Sequence, residues 1–361
     1  MGLCLSTGHR PPSIWSDLLP EVGGLILRRL PSHADRLSFR AVCRQWRLAA
    51  QQERPSLPPA LPWIRLSDRT FRSLPGGERR RFKAHRVRRT AGTATSLRYF
   101  NILIRKTIAC SPGLSAVMLV GNHAVLFYRP GGASRSYSIS QAPTGEPGRS
   151  WLKCYSDIAF HRGKLYALTR NEELFSHEFT RSSFLMSLST TITTVVEHVI
   201  IKKHEDSSID IIFYPRYLVA SCDNKLLMVK WRPCSASIRA PTTIQEKCDA
   251  MKLEVFEADL EMGRWSEVKD GLNGQTLFVS SGCSRAVRLP NDDHEFRGDH
   301  VYFLFADLHL VHSSFTSYLY GSYDLRNDRI SQMFVNKERN NIMAKGTSYP
   351  AWFFPSYKCE W

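Results

Sequence analysis

Two clusters in this 361-residue chain hold residue types that could do metal or acid–base chemistry. Asp292, Asp293, His294 and Glu295 are consecutive, and carboxylates beside an imidazole suit a divalent cation. The stretch reads as a polar loop, for which ordinary solvation is the simpler account. His309 and His312 lie in a strand-rich region, where their spacing sends the two rings to opposite faces and makes a poor chelate. There is no Gly-x-Ser-x-Gly elbow, no phosphate-cradling glycine loop and no His-Glu-x-x-His. Cys222 and Cys234 flank a hairpin without partner ligands, and the nine cysteines include no Cys-x-x-Cys pair. They read as reduced thiols of an intracellular protein. No catalytic residue, metal ligand or cofactor is therefore expected.

The net charge of +16 is local: residues 1–110 hold 21 Lys and Arg against 6 Asp and Glu, and the rest is nearly neutral. Much of the excess falls in an Arg-rich insertion over 76–106. Within it Arg79, Arg80, Arg81, Lys83, Arg86, Arg88 and Arg89 fit a nuclear import signal or a nucleic-acid footprint. Like charges repel, and only Phe82 and Val87 offer apolar surface, so a solvated, trypsin-sensitive loop over 76–100 is the simpler expectation. Specific nucleic-acid binding is not expected.

Met1-Gly2-Leu-Cys4-Leu-Ser6 matches the myristoylation pattern at Gly2, with Cys4 placed for a second chain. Two chains are what stable anchoring needs, so a membrane-associated fraction is expected only if this terminus is acylated. No apolar run is long enough to span a bilayer, and the first residues lack a secretory pattern. Nucleus and cytoplasm are the expected compartments.

The elements that would position any site differ along the chain. Residues 1–12 read as a flexible terminus, 13–51 as a helical module and 52–60 as a linker. Val22, Leu25, Ile26 and Leu30 recur at helical spacing until Pro31 stops the helix. Ser32 and Asp35 then form a capping box that opens a second helix with the stripe Phe39, Val42, Cys43, Trp46 and Ala50. Arg36, Arg40, Arg44 and Arg47 suit its wet face. Gly23 and Gly24 weaken the first helix, by about 1 kcal/mol each relative to Ala. A unit of about 40 residues is too small to bury enough surface alone, so its apolar helices need a partner.

Trp15-Ser-Asp-Leu18-Leu-Pro20-Glu-Val22, Leu25-Ile-Leu27-Arg-Arg-Leu30-Pro31 and Arg40-Ala-Val42-Cys43-Arg-Gln-Trp46-Arg47 together resemble an F-box. The string Arg-Ala-Val-Cys-Arg-x-Trp is the specific part; Leu19 stands where the family usually has proline. The resemblance implies docking on a Skp-type adaptor, and through it on a cullin, by Leu18, Pro20, Val22, Ile26, Leu27, Leu30, Val42, Cys43 and Trp46.

From residue 61 to 361 strand signals alternate with tight turns. Hairpins are expected for Trp63–Leu66 with Thr70–Leu74, Ala116–Val120 with Ala124–Tyr128, and Ile158–His161 with Lys164–Leu168. Two more join Tyr217–Ser221 to Lys225–Trp231 and Leu253–Leu260 to Arg264–Val268. Gly163-Lys-Leu-Tyr-Ala-Leu168 echoes Asn224-Lys-Leu-Leu-Met-Val229. The expected fold class is thus mixed, a small all-α module before a large all-β domain. A β-propeller of six or seven blades fits best, with one blade shortened at the Arg-rich insertion and ring closure at risk there. Two β-sandwiches are the alternative.

Ser156-Asp-Ile-Ala-Phe-His-Arg-Gly-Lys-Leu-Tyr-Ala-Leu168, Phe256-Glu-Ala-Asp-Leu260, His300-Val-Tyr-Phe-Leu304 and Trp352-Phe-Phe-Pro355 resemble, in order, the domain of unknown function 295 of plant F-box proteins, the KIB-type β-propeller. This implies a non-catalytic, substrate-recognition subunit of a Skp-cullin-F-box ubiquitin ligase, whose propeller binds an unknown protein target. A propeller-fold hydrolase and a basic nucleic-acid-binding protein are the alternatives.

Overall fold

The computed structural model describes residues 15, 18–30, 32–53, 57, 61–65, 70–73, 79–81, 104–111, 114–119, 125–128, 137–140, 154–182, 191–201, 215–233, 251–289, 296–306, 315–339 and 351–354. The chain forms two units, one of 1–62 with 354–361 and one of Trp63–Phe353.

Three short helices build the first unit: α1 (Pro20–Arg28), α2 (His33–Val42) and α3 (Arg44–Gln52). Proline opens α1, where a missing N–H breaks no helical bond. Ser32 holds the N-cap position of α2 as expected, but its side chain makes no cap bond. The single helix expected beyond Ser32 is two, because Cys43 is extended (φ −156°, ψ 178°) and its Sγ accepts the Trp46 N–H at 3.5 Å. The break splits the apolar stripe: Phe39 and Ala50 turn inward, whereas Val42 is 57% exposed. Arg36, expected on the wet face, is buried, and its Nε donates to the Leu30 carbonyl at 2.6 Å. A side-chain donor thereby satisfies a carbonyl that the helix has left behind. The glycine pair also has a packing role. A Cβ at Gly23 would lie 3.2 Å from Ala49 Cβ, and one at Gly24 would lie 2.7 Å from Glu53 Cγ. So α1 crosses α3 on its glycine face, and Arg28 pairs with Glu53 at 2.8 Å.

The second unit is a mostly-β propeller. Its first sheet contains β1 (Trp63–Arg65), β2 (Thr70–Ser73) and β3 (Arg79–Arg81). The second holds β4 (Ile104–Ser111), β5 (Leu114–Leu119), β6 (Val125–Tyr128) and β7 (Tyr137–Ser140). The third holds β8 (Tyr155–His161), β9 (Lys164–Thr169), β10 (Leu174–Ser182) and β11 (Thr191–Ile200). The fourth holds β12 (Arg216–Ala220), β13 (Leu226–Pro233), β14 (Met251–Asp259) and β15 (Arg264–Glu267). The fifth orders β16 (Gln275–Ser280), β17 (Arg285–Arg288), β18 (His300–Ala306), β19 (Phe315–Asp324) and β20 (Arg329–Arg339) as β17-β16-β18-β19-β20. Of the six or seven blades expected, five sheets lie among the described residues.

All five expected hairpins form, with registers such as Ile64 opposite Arg72 and Val219 opposite Leu227. The echoed segments open β9 and β13, each the second strand of its sheet. Stacking of successive sheets shows in how neighbouring residues of one strand part company. Tyr217 and Val219 of β12 pack with Leu277, Val301 and Phe303 of the fifth sheet. Leu218 between them packs with Leu168 and Leu174 of the third. A strand buried on both faces is what each propeller blade requires, and the two-sandwich alternative does not provide it.

The Arg-rich insertion departs from the loop expected over 76–100 near its start, and its last residues lie in a strand beyond that loop. Arg79–Arg81 is β3, paired with β2 (Thr70 opposite Arg81), and Arg105 and Lys106 belong to β4. Lys83, Arg86, Arg88 and Arg89 lie outside the described residues. The first sheet is the short one, and β21 (Ala351–Phe353) completes it by pairing antiparallel with β1, Trp63 opposite Phe353 and Arg65 opposite Ala351. Closure, in doubt from the sequence, is made by joining the two ends of the unit in one sheet.

Candidate functional site

Two features could serve a partner. The first is the outer face of the helical module. Leu27, Phe39 and Ala50 form its small core, with Ile26, Leu30, Trp46 and Leu57 packed against them. Trp46 stacks on Phe39 with ring centroids 4.4 Å apart, and its indole N–H donates to the Trp15 carbonyl at 2.8 Å. Nine large hydrophobic side chains are exposed among the described residues, and six of them belong here: Trp15, Leu19, Val22, Leu25, Val42 and Leu48. Such crowding of apolar surface on so small a unit marks an interaction face. Of the residues expected to dock, Pro20, Val22 and Val42 are exposed and Leu18, Ile26, Leu30, Cys43 and Trp46 half-buried. Leu27, 1% exposed, is core instead. Leu19, Leu25 and Leu48 join the exposed face; helical spacing alone could not tell this outer stripe from the inner one.

The second feature lies where the edge strands of the propeller sheets begin. Asp157 of β8 is the hub. Its carboxylate takes the Lys106 ammonium of β4 at 2.9 and 3.0 Å and the backbone N–H of Leu218 of β12 at 2.8 Å, tying three successive sheets. The Ile158 N–H is a further donor at 2.9 Å, and both charged side chains are almost wholly buried. A register shift between Tyr155 and Asp157 leaves Ser156 free to donate to the Arg216 carbonyl at 3.3 Å.

Around this hub each sheet contributes one arginine: Arg65 at the end of β1 opposite the first residue of β21, Arg105 in β4, Arg170 just after β9, Arg216 opening β12 and Arg285 opening β17. The Arg170 N–H donates to the Cys154 carbonyl at 3.1 Å, which sets it beside the start of β8. Arg216 is buried and paired with Glu172 at 3.1 Å, and Glu172 also meets Lys230 at 3.3 Å. Burial lowers the pKa of Arg170, and the charges of Arg105 and Arg216 push the same way against the thiol of Cys154. The Cys283 thiol, among Lys106, Arg285 and Arg65, is nonetheless raised by burial, as is that of Cys154. Neither cysteine is poised as a thiolate nucleophile. Gly282 fits the same narrow place: a Cβ there would meet Ala351 Cβ at 2.8 Å, with the Arg105 carbonyl at 3.5 Å and an Arg65 nitrogen at 3.7 Å.

Gly2, Cys4, Asp292–Glu295, His309, His312 and Cys234 lie outside the described residues. Cys222 is a free thiol at the β12–β13 turn. Among the described residues no group of three or more His, Cys, Asp or Glu could hold a metal ion, and no helix is long and apolar enough to cross a membrane.

Comparison with curated proteins finds no match. Among solved structures, a Saccharomyces cerevisiae complex of Dbp5 with Nup159, Gle1, IP6 and ADP is similar at a TM-score of 0.26 and 8% identity, over 65% of this chain and 50% of that one. This chain thus spans half the length of that solved chain. Residues 21–331 match the family model described as the KIB1-4 beta-propeller, from α1 through the fifth sheet, and the protein belongs to that family.

Proposed function

We propose that the protein is the target-recognition subunit of a Skp-cullin-F-box ubiquitin ligase. The propeller supports a protein-interaction role. The observation that carries the finer reading is the outward apolar face of the helical module, built by Leu19, Val22, Leu25, Val42 and Leu48 within an F-box-like sequence. In this reading α1–α3 dock on a Skp-type adaptor, the propeller holds a protein target, and transfer of ubiquitin is catalysed elsewhere in the complex. Nucleus and cytoplasm are its compartments, with a membrane fraction if Gly2 and Cys4 are acylated.

The test is co-purification of the full chain with a Skp-type adaptor. Val22 and Leu25 are exposed, so Val22→Asp and Leu25→Asp leave the module's core intact while placing a charge in the interface. Capture should fall at least about tenfold, which corresponds to about 1.4 kcal/mol. Equal capture of parent and both variants, with unchanged circular dichroism, would remove the ubiquitin-ligase reading.

A further inference from the structure

We infer that the arginine ring at the edge-strand end of the propeller is an oxyanion site that takes a phosphorylated segment of the bound protein target. The inference rests on the receptor reading above and names the chemistry by which that receptor would recognise its target.

Five sheets far apart in sequence each place an arginine at one end of the ring, Arg65 and Arg285 near Cys283 and Arg105 and Arg216 near Arg170. Two of the nearby acids are already engaged. Asp157 is saturated by Lys106 and two backbone N–H groups, and Glu172 by Arg216 and Lys230. Glu173 lies 3.9 Å from Nε2 of His198 of β11, and its buried Oε2 has no hydrogen-bond partner. Arg105 and Arg170 form no ion pair with an acid among the described residues, and the Nε–H of Arg105 is buried with no acceptor. A buried donor without an acceptor is costly, and like charges brought together repel. Folding alone gives no reason to gather them. An anion supplies both what the donors lack and what the charges oppose. Arg65, Arg105 and Arg170 are half-buried and Arg285 is exposed, so the forks border solvent and a side chain can reach them. Guanidinium forks match the tetrahedral oxygens of phosphate, and one phosphate can take bonds from more than one fork. Lysine-rich surfaces that bind nucleic acid non-specifically need no such convergence.

Binding is measured by fluorescence anisotropy on the full chain. The probes are a fluorescein-labelled peptide carrying phosphoserine, its serine counterpart and a short oligothymidine, with inorganic phosphate as competitor. The phosphopeptide should bind at least about tenfold tighter than the serine peptide, and phosphate should displace it. The double variant Arg105→Ala/Arg170→Ala should lose at least about tenfold in affinity, whereas Arg264→Ala, on the fourth sheet's outer strand, should change nothing. Phosphate should also raise the parent's thermal midpoint above that in chloride of equal ionic strength, a readout that needs no variant to fold. Equal binding of both peptides, full affinity in the double variant or no rise in midpoint would each overturn the inference. Tighter binding of oligothymidine, lost in the same variant, would overturn it in favour of nucleic acid. Adaptor capture by the double variant should match the parent. A loss of adaptor docking alone would therefore count against the ligase reading, and a loss of phosphopeptide binding alone against the oxyanion site.

Discussion

Replacing Lys106 by Met would test whether the propeller's centre is held by a dry ion pair. The Lys106 and Asp157 side chains are 4% and 1% exposed, and the ammonium meets the carboxylate at 2.9 Å. Breaking such a pair from one side costs about 3–5 kcal/mol, because the remaining charge stays buried without its partner. Lys106→Met leaves Asp157 with the N–H groups of Ile158 and Leu218, which offset part of the loss, so the lower end of about 3 kcal/mol is expected. Asp157→Leu strands the ammonium and both N–H groups and should cost about 5 kcal/mol or more. With both changes no charge is left to strand. The double variant should therefore fall short of the sum of the singles by about 2–3 kcal/mol.

The assay is urea unfolding followed by tryptophan emission, since Trp231 and Trp352 are buried in the propeller and report its transition. A cost below about 1 kcal/mol for Lys106→Met would show that water already screens the pair. Additivity within about 0.5 kcal/mol would show that the two groups do not act as a unit. Either result would refute the account of Asp157 as the joint of three sheets.

His177, fully buried and with Nε2 3.2 Å from the Tyr155 hydroxyl, has its pKa lowered from 6.5 to about 4 by burial. As pH falls the unfolded chain takes this proton first. Its contribution is thus complete above pH 6.5, lost between 6.5 and about 4, and constant below. The loss should reach about 3 kcal/mol, at about 1.4 kcal/mol for each pH unit of that gap. Urea midpoints of the parent and of His177→Phe between pH 7.5 and 4 should differ in slope by that amount; parallel curves would be contrary. Gly282→Val should push β21 from its seat on β1, because even a Cβ there would stand 2.8 Å from Ala351 Cβ. Hydrogen exchange should quicken first at Trp63–Arg65 and Ala351–Phe353, and unchanged protection there would count against that seam. Gly23→Leu should lower the thermal midpoint of the helical module, since the Cβ alone would lie 3.2 Å from Ala49 Cβ.

Local pattern made the hairpins legible because a two-residue period bounded by Gly163, Asn224 or Gly263 fixes strand, turn and partner within a few residues. Both Asn224 and Gly263 have the positive φ that such turns need. What local pattern could not give was any pairing across the whole unit. Nothing in Ala351-Trp-Phe353 says that its partner is Trp63-Ile-Arg65, so closure looked doubtful where it is in fact made. The α2–α3 break was hidden for a related reason: Phe39, Val42, Cys43, Trp46 and Ala50 keep helical spacing through Cys43, and only its extended backbone interrupts them. Arg36 read as solvated because an acceptor from the chain beyond α1, the Leu30 carbonyl, is invisible to the helix's own periodicity.

The arginine ring is the extreme of this limit. Arg65 and Arg105 lie inside or beside a segment whose excess charge invites a reading as solvated, while Arg170, Arg216 and Arg285 sit in near-neutral sequence and invite none. Each is unremarked in its own strand; the ring of sheets is what makes them neighbours. Net charge therefore did not point to these positions, for the densest cationic sequence, Arg79–Arg89, contains none of the five arginines set around Asp157, Cys283 and Arg170. A charge run is legible because it is contiguous, and contiguity is what lets its members point away from one another into water. Guanidiniums delivered by five separate sheets have no such freedom. Their backbones are fixed by cores that bury Tyr217, Leu277 and Phe303, and that packing holds Arg105 and Arg170 close enough for like charge to be felt. An anion would supply the partner that Arg105 and Arg170 lack among the described residues, which is why this end of the ring is the place to look for the target.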